Sequence, residues 1–172
     1  MLRAVGAVIL FLSCAGFGYS QGNLYQERIR QLHTLMKIAE QLKGEIAYGK
    51  IPLPEALRKI GNRTEVIFSL WLSDFAEKLE QFTGMDYEAI LKDTMEEIKR
   101  KTCLEDEDWD DFYEAMRYAG SLHYDTQIQF LQRYLQETEK KTEILQAQLP
   151  QKQKMLSSFG VLGGIFLVII LL

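Results

Sequence analysis

The chain reads as all-α: a six-helix, bundle-like soluble domain flanked by N- and C-terminal transmembrane helices. Three observations carry this. Apolar residues recur at spacings of three and four through most of residues 24–145, and nowhere does a period of two persist. Two uncharged apolar blocks, 4–19 and 155–172, bracket that amphipathic part. Gly49, Gly61, Gly84 and Gly120 punctuate the periodic runs between them. The division that follows is an N-terminal anchor over 1–20, a helical domain over 21–154 and a C-terminal membrane helix over 155–172.

The terminal block, Met155 to Leu172, carries no charge. As a helix it reaches roughly 27 Å, close to the hydrocarbon thickness of a bilayer. A helix apolar on every side must be buried on every side, and a membrane does that. The first block, Ala4 to Tyr19 after a single Arg3, has the layout of a signal peptide. Its basic start is minimal, and Gly16 and Gly18 form a poor cleavage site. Phe11-Leu12-Ser13 before Cys14 does not match a lipoprotein acylation site. An uncleaved anchor is the preferred reading, with a cleaved leader as its alternative.

Between the blocks, Ile29, Leu32, Leu35, Met36, Ala39, Leu42 and Ile46 share one face of a helix over 24–48. Gly49 and the Pro52/Pro54 pair end it. A short helix over 55–60 follows, closed by Gly61. Thr64 is expected to cap the next helix, which makes Asn62-Arg63-Thr64 a cap and not a glycosylation acceptor. That third helix runs to about Phe82, with Val66, Ile67, Leu70, Trp71, Phe75 and Leu79 as its core stripe. Asp86 caps a fourth, through Ile90, Leu91, Met95 and Ile98 to Lys101. A fifth covers 106–119. A sixth starts near Tyr124 and keeps Ile128, Leu131, Leu135, Thr138 and Leu145 in phase, with Pro150 as a kink or break before the membrane block.

The net charge of −4 and the pI of about 5.3 give no general attraction to nucleic acid. Cys14 and Cys103 lie too far apart to suggest a disulfide framework or a zinc pattern. The acidic run 105–111 fails as a calcium loop, because its sixth and twelfth positions counted from Asp106 are Asp111 and Arg117. His33 and His123 lack the companions of a metal site or triad, and there is no phosphate loop or nucleophile elbow. Nothing calls for a catalytic residue, metal, cofactor or small-molecule substrate.

What remains is interaction chemistry. Asp106, Asp108, Asp110 and Asp111 form an acidic first turn that suits a helix N-terminus and offers a docking patch for a basic partner. Arg28, Arg30 and Lys37 form a basic face on the first helix. Gly160 and Gly164 form a small-residue pair through which a membrane helix packs on another. Basic residues lie on the domain side of both blocks, which places the domain in the cytosol.

The runs Glu-Ile-Ala-Tyr-Gly (45–49), Pro-Leu-Pro-Glu-Ala-Leu (52–57), Leu-His-Tyr-Asp (122–125) before Gln127, and Lys-Met-Leu-Ser-Ser-Phe-Gly-Val-Leu-Gly-Gly (154–164) resemble the stage III sporulation protein AB family over essentially the whole chain. Pro150 departs from the uninterrupted helix expected there. The resemblance implies a mother-cell protein of endospore formers, set in the membrane around the forespore. It also implies a six-helix cytosolic domain similar to the F-type platform proteins of type II secretion. Its expected partners are a secretion-type ATPase and other stage III channel proteins, with self-association possible. The alternative is a membrane-anchored or signal-bearing adaptor unrelated to secretion.

Overall fold

Helix α1, Leu2–Gly44, holds the first apolar block and the first amphipathic stretch in one element. The computed structural model describes the backbone of residues 2–49, 51–81, 86–120 and 123–171, and side chains over 23–48, 51–81, 86–120, 123–155 and Ser158. The first apolar block with Cys14, the second block apart from Met155 and Ser158, and Phe82, Gly84 and Leu122 therefore lie outside the described side chains, and the Gly160/Gly164 pair with them. Among the described residues no helix is long and apolar enough to cross a membrane.

Helices α2 (Leu53–Gly61), α3 (Val66–Glu80), α4 (Tyr87–Lys99), α5 (Asp106–Ala119) and α6 (Tyr124–Leu171) follow, and no strand occurs among the described residues. Residues 30–142 form one compact unit; residues 1–29 together with 143–172 form another. Within the first of these, α2 packs on α3, α3 on α4 and α4 on α5. Leu35, Leu42, Leu57, Phe75, Leu91, Phe112 and Leu131, drawn from all six helices, are completely buried in one core. Its centre is aromatic: Trp71 meets Trp109 and Phe112 edge-on at 6.2 and 5.9 Å, and Phe112 meets Tyr134 at 5.4 Å. Such ring pairs add about 0.5–1.5 kcal/mol each beyond burial.

The stripe on α4 is where its spacing predicts it: Ile90, Leu91, Met95 and Ile98 are buried. On α3 the predicted stripe holds in part: Trp71 and Phe75 are buried and Ile67 and Leu79 pack against the core, but the buried face is rotated away from Val66 and Leu70. Val66 and Leu70 are 76 % and 67 % exposed, while Phe68, Trp71, Leu72, Phe75 and Ala76 are buried. The two edges of the stripe, Val66/Leu70 and Phe68/Leu72/Ala76, flank the same Trp71 and Phe75 at helical spacing, so periodicity cannot choose between them. Thr64 is not the cap of α3 either. Its hydroxyl donates back to the Ile60 carbonyl at 2.8 Å, and Glu65 occupies the cap position.

Gly120 ends α5 with right-handed backbone angles, so it is not needed for a left-handed turn. It is needed for space. A Cβ there would lie 2.6 Å from the Tyr87 ring, whose hydroxyl donates to the Met116 carbonyl at 2.7 Å. Helix α6 passes through Pro150 without ending. In the unit of residues 1–29 and 143–172, the Lys152 ammonium sits 3.9 Å from the centre of the Tyr25 ring and donates to its hydroxyl.

Candidate interaction surfaces

The acidic turn at the start of α5 is largely satisfied from within. Asp108 stands at the third position of the helix, and its Oδ2 accepts the Glu105 backbone N–H at 3.0 Å, one half of a capping box. Its side chain has no exposure at all, and its Oδ1 lies 2.8 Å from Lys141 Nζ on α6. The same ammonium reaches Asp111 at 3.1 Å and Glu107 at 3.7 Å. Burial works against the charged Lys141, but the hydrogen bonds it donates to Asp108 and Asp111 outweigh it and hold its pKa above the ordinary lysine value. Asp108 therefore pins α5 to α6 and faces inward. Asp106 and Asp110 stand outward, 95 % and 76 % exposed at the side chain, with only long contacts to Lys99 at 3.9 and 3.8 Å. Lys141 was not singled out by sequence reasoning, and no local pattern marks it, because it lies on α6, 33 residues on from Asp108.

The basic face of α1 is divided in the same way. Arg28 is 5 % exposed, and Arg30 pairs with Glu65 at the start of α3, where Thr34 also donates to the Glu65 carboxylate at 3.2 Å. Lys37 is exposed. Of the seven charged candidates, then, Asp108 and Arg28 are buried, Arg30 and Asp111 are exposed but paired, and Asp106, Asp110 and Lys37 are exposed.

A third surface gathers residues far apart in the chain. After Gly44 the helix widens into a π-helical turn, Glu45–Gly49. Such turns interrupt the regular ladder and are frequent at functional sites. Beside it opens a groove of about 470 Å³ lined by Ile46, Ala47, Ile51, Leu53, Ala56 and Tyr124. The Tyr124 hydroxyl donates to the Ala47 carbonyl at 3.0 Å, and Lys59 pairs with Glu45 at 2.6 Å, so α6 and α2 hold the turn from both sides. Tyr48 projects at the same turn, 89 % exposed. The runs 45–49, 52–57 and 123–125, separate in sequence, thus meet at one groove.

A model of the family described as Stage III sporulation protein AB matches residues 3–172. The chain belongs to the stage III sporulation protein AB family. The stage III sporulation protein AB of Bacillus subtilis (strain 168) is 28 % identical over 177 residues, covering all of both chains. A solved structure of SpoIIIAB covers 72 % of this chain and 98 % of its own, at a TM-score of 0.65 and 21 % identity, and shows the same helical fold. Membership gives the chain a role in sporulation. Three of the four runs through which the sequence resembles the family contribute residues to the groove at the π-helical turn.

Proposed function

We propose that this protein is a non-enzymatic membrane platform component of the mother-cell-to-forespore channel complex. Both terminal blocks anchor it, and residues 21–154 stand in the cytosol to recruit or couple a secretion-type ATPase. The observation that carries this reading is the family match across residues 3–172, apolar blocks included. The uncharged run from Met155 to Leu172 and the basic residues on the domain side of both blocks support the anchoring and its direction. Asp106, Asp110 and Lys37 are exposed charges through which the domain would meet its partners, and the groove beside Tyr48 supplies apolar contact area.

The test is the side of the membrane on which the domain lies. Tyr48→Cys, at a highly exposed position, in a chain with Cys14→Ser and Cys103→Ser, is treated in sporulating cells with a membrane-impermeant thiol reagent. Labelling only after permeabilisation is expected. Labelling in intact cells would put the domain outside and end the ATPase-platform reading.

A further inference from the structure

Charge is sorted along this chain. All 24 acidic residues lie between Glu27 and Glu143. Outside that stretch the only charged side chains are Arg3, Lys152 and Lys154, so both ends are basic although the whole chain carries −4. Lys152 and Lys154 stand immediately before the uncharged run that opens at Met155.

The unit of residues 1–29 and 143–172 gives these two lysines an unusual setting. Several lysines of the other unit sit on carboxylates: Lys59 on Glu45, Lys78 on Asp74 and Asp93, Lys141 on Asp108. Lys152, half-buried, meets no carboxylate among the described residues. Its ammonium lies over the Tyr25 ring and donates to the phenol oxygen. Lys154 is exposed and enters no ion pair among the described residues.

An ammonium has three N–H donors and no acceptor. With one directed at Tyr25, Lys152 keeps two. The phenol accepts from a cation and keeps its own O–H to donate, which that cation polarises. Ring and hydroxyl thus hold in one place a set of donors that suits an anion with several oxygens, such as a phosphate. Lys154, two places on, turns to another side of α6 and adds positive charge at the same level.

The surroundings select a lipid headgroup over a free phosphate. Leu24, beside Tyr25, is 46 % exposed, and Met155, just past the lysines, is 50 % exposed. A free phosphate gains nothing from exposed apolar side chains. A phospholipid sets its phosphate on the donors and its chains against the apolar residues. Tyrosine and lysine are also the residues that mark the place where a helix leaves a bilayer.

We infer that Lys152 and Tyr25, with Lys154 beside them, form a binding site for the phosphate of an anionic phospholipid. This rests on the anchoring proposed above and goes beyond it, because an apolar run by itself enters lipid of any headgroup.

The experiment uses the full chain. Anchoring is read by flotation with phosphatidylcholine vesicles after alkaline carbonate treatment, and is expected for the chain and for every variant. Headgroup selection is read by native mass spectrometry from detergent micelles doped equally with phosphatidylglycerol and phosphatidylcholine. Phosphatidylglycerol should be retained roughly thirtyfold over phosphatidylcholine, about fivefold for each lysine. Lys152→Gln and Lys154→Gln should each cut that preference about fivefold, and the double variant should erase it with helical circular dichroism unchanged. Lys152→Arg should keep it. Tyr25→Phe, which keeps the ring and loses the hydroxyl, should cut it about threefold. Excess inorganic phosphate should not displace the lipid. A chain that floats but holds both lipids equally, or whose preference survives the double variant, would overturn the site and leave the anchoring standing. Displacement by inorganic phosphate would make this a site for a free anion and overturn the lipid assignment. A chain that fails to float would overturn both.

Discussion

The start of α5 and the outward face of α3 are opposites. The first has the most concentrated charge in the chain, yet its central carboxylate is buried and paired; the second has a core-like apolar spacing, yet it lies in solvent. A carboxylate left alone in a core costs several kcal/mol, so a buried one recruits a cation and a backbone N–H, as Asp108 does with Lys141 and Glu105. An exposed leucine costs little by comparison, and single exposed apolar residues are ordinary on any protein. Residue type alone therefore misjudges both regions: burial of the charge is decided by its partners, and exposure of the leucine by what else fills the core.

The largest expected effect tests the first half of this contrast. Lys141→Met keeps the length of the side chain and removes the ammonium, leaving Asp108 buried without its cation. Stability should fall by about 3 kcal/mol in chemical denaturation. A loss under ~0.5 kcal/mol would mean that Asp108 is satisfied by its backbone contact and that the corner is not held by the pair.

Next in size is the response to alkali. The Lys141 pKa is raised in the folded protein, and burial pushes the Tyr87 and Tyr134 phenols up as well. In each case the folded state holds the proton more tightly than the unfolded chain. Their contribution is fully present below about pH 10 and is lost as pH rises through the folded values. Denaturation midpoints should thus be flat near neutrality and fall above pH 10. Lys141→Arg, whose charge does not titrate there, should flatten part of that fall. A midpoint that held steady to pH 11.5 would remove the linkage.

The smallest effect tests the other half. Val66→Ser and Leu70→Ser should each change the stability of the protein by no more than about 0.5 kcal/mol, as expected of surface positions. Phe68→Ala and Leu72→Ala, each two places from Leu70, should cost about 2–5 kcal/mol. If Leu70→Ser unfolded the protein as Leu72→Ala does, the register of α3 would be the one its apolar spacing first suggests.

Much of the architecture was legible in the residues. The paired prolines at 52 and 54 mark the start of α2, the glycines at 61 and 120 mark the ends of α2 and α5, and the α4 stripe is buried as its spacing requires. Legibility stopped where two solutions had the same period, as on α3, and where a cap could be supplied by a neighbour, as at Thr64 and Glu65. The candidate charges were legible as clusters but not as surfaces: Asp108 and Arg28 are buried, while Asp106, Asp110 and Lys37 are exposed.

Sequence by itself determined the all-α class, the two apolar ends and the family, because these rest on the order of residues along one chain: period, run length and motif spacing. Tertiary structure alone decided which face of α3 is inside, which carboxylate is paired, and that the runs 45–49, 52–57 and 123–125 meet at one groove. Those outcomes depend on volumes and charges contributed by other helices, and no local pattern contains them.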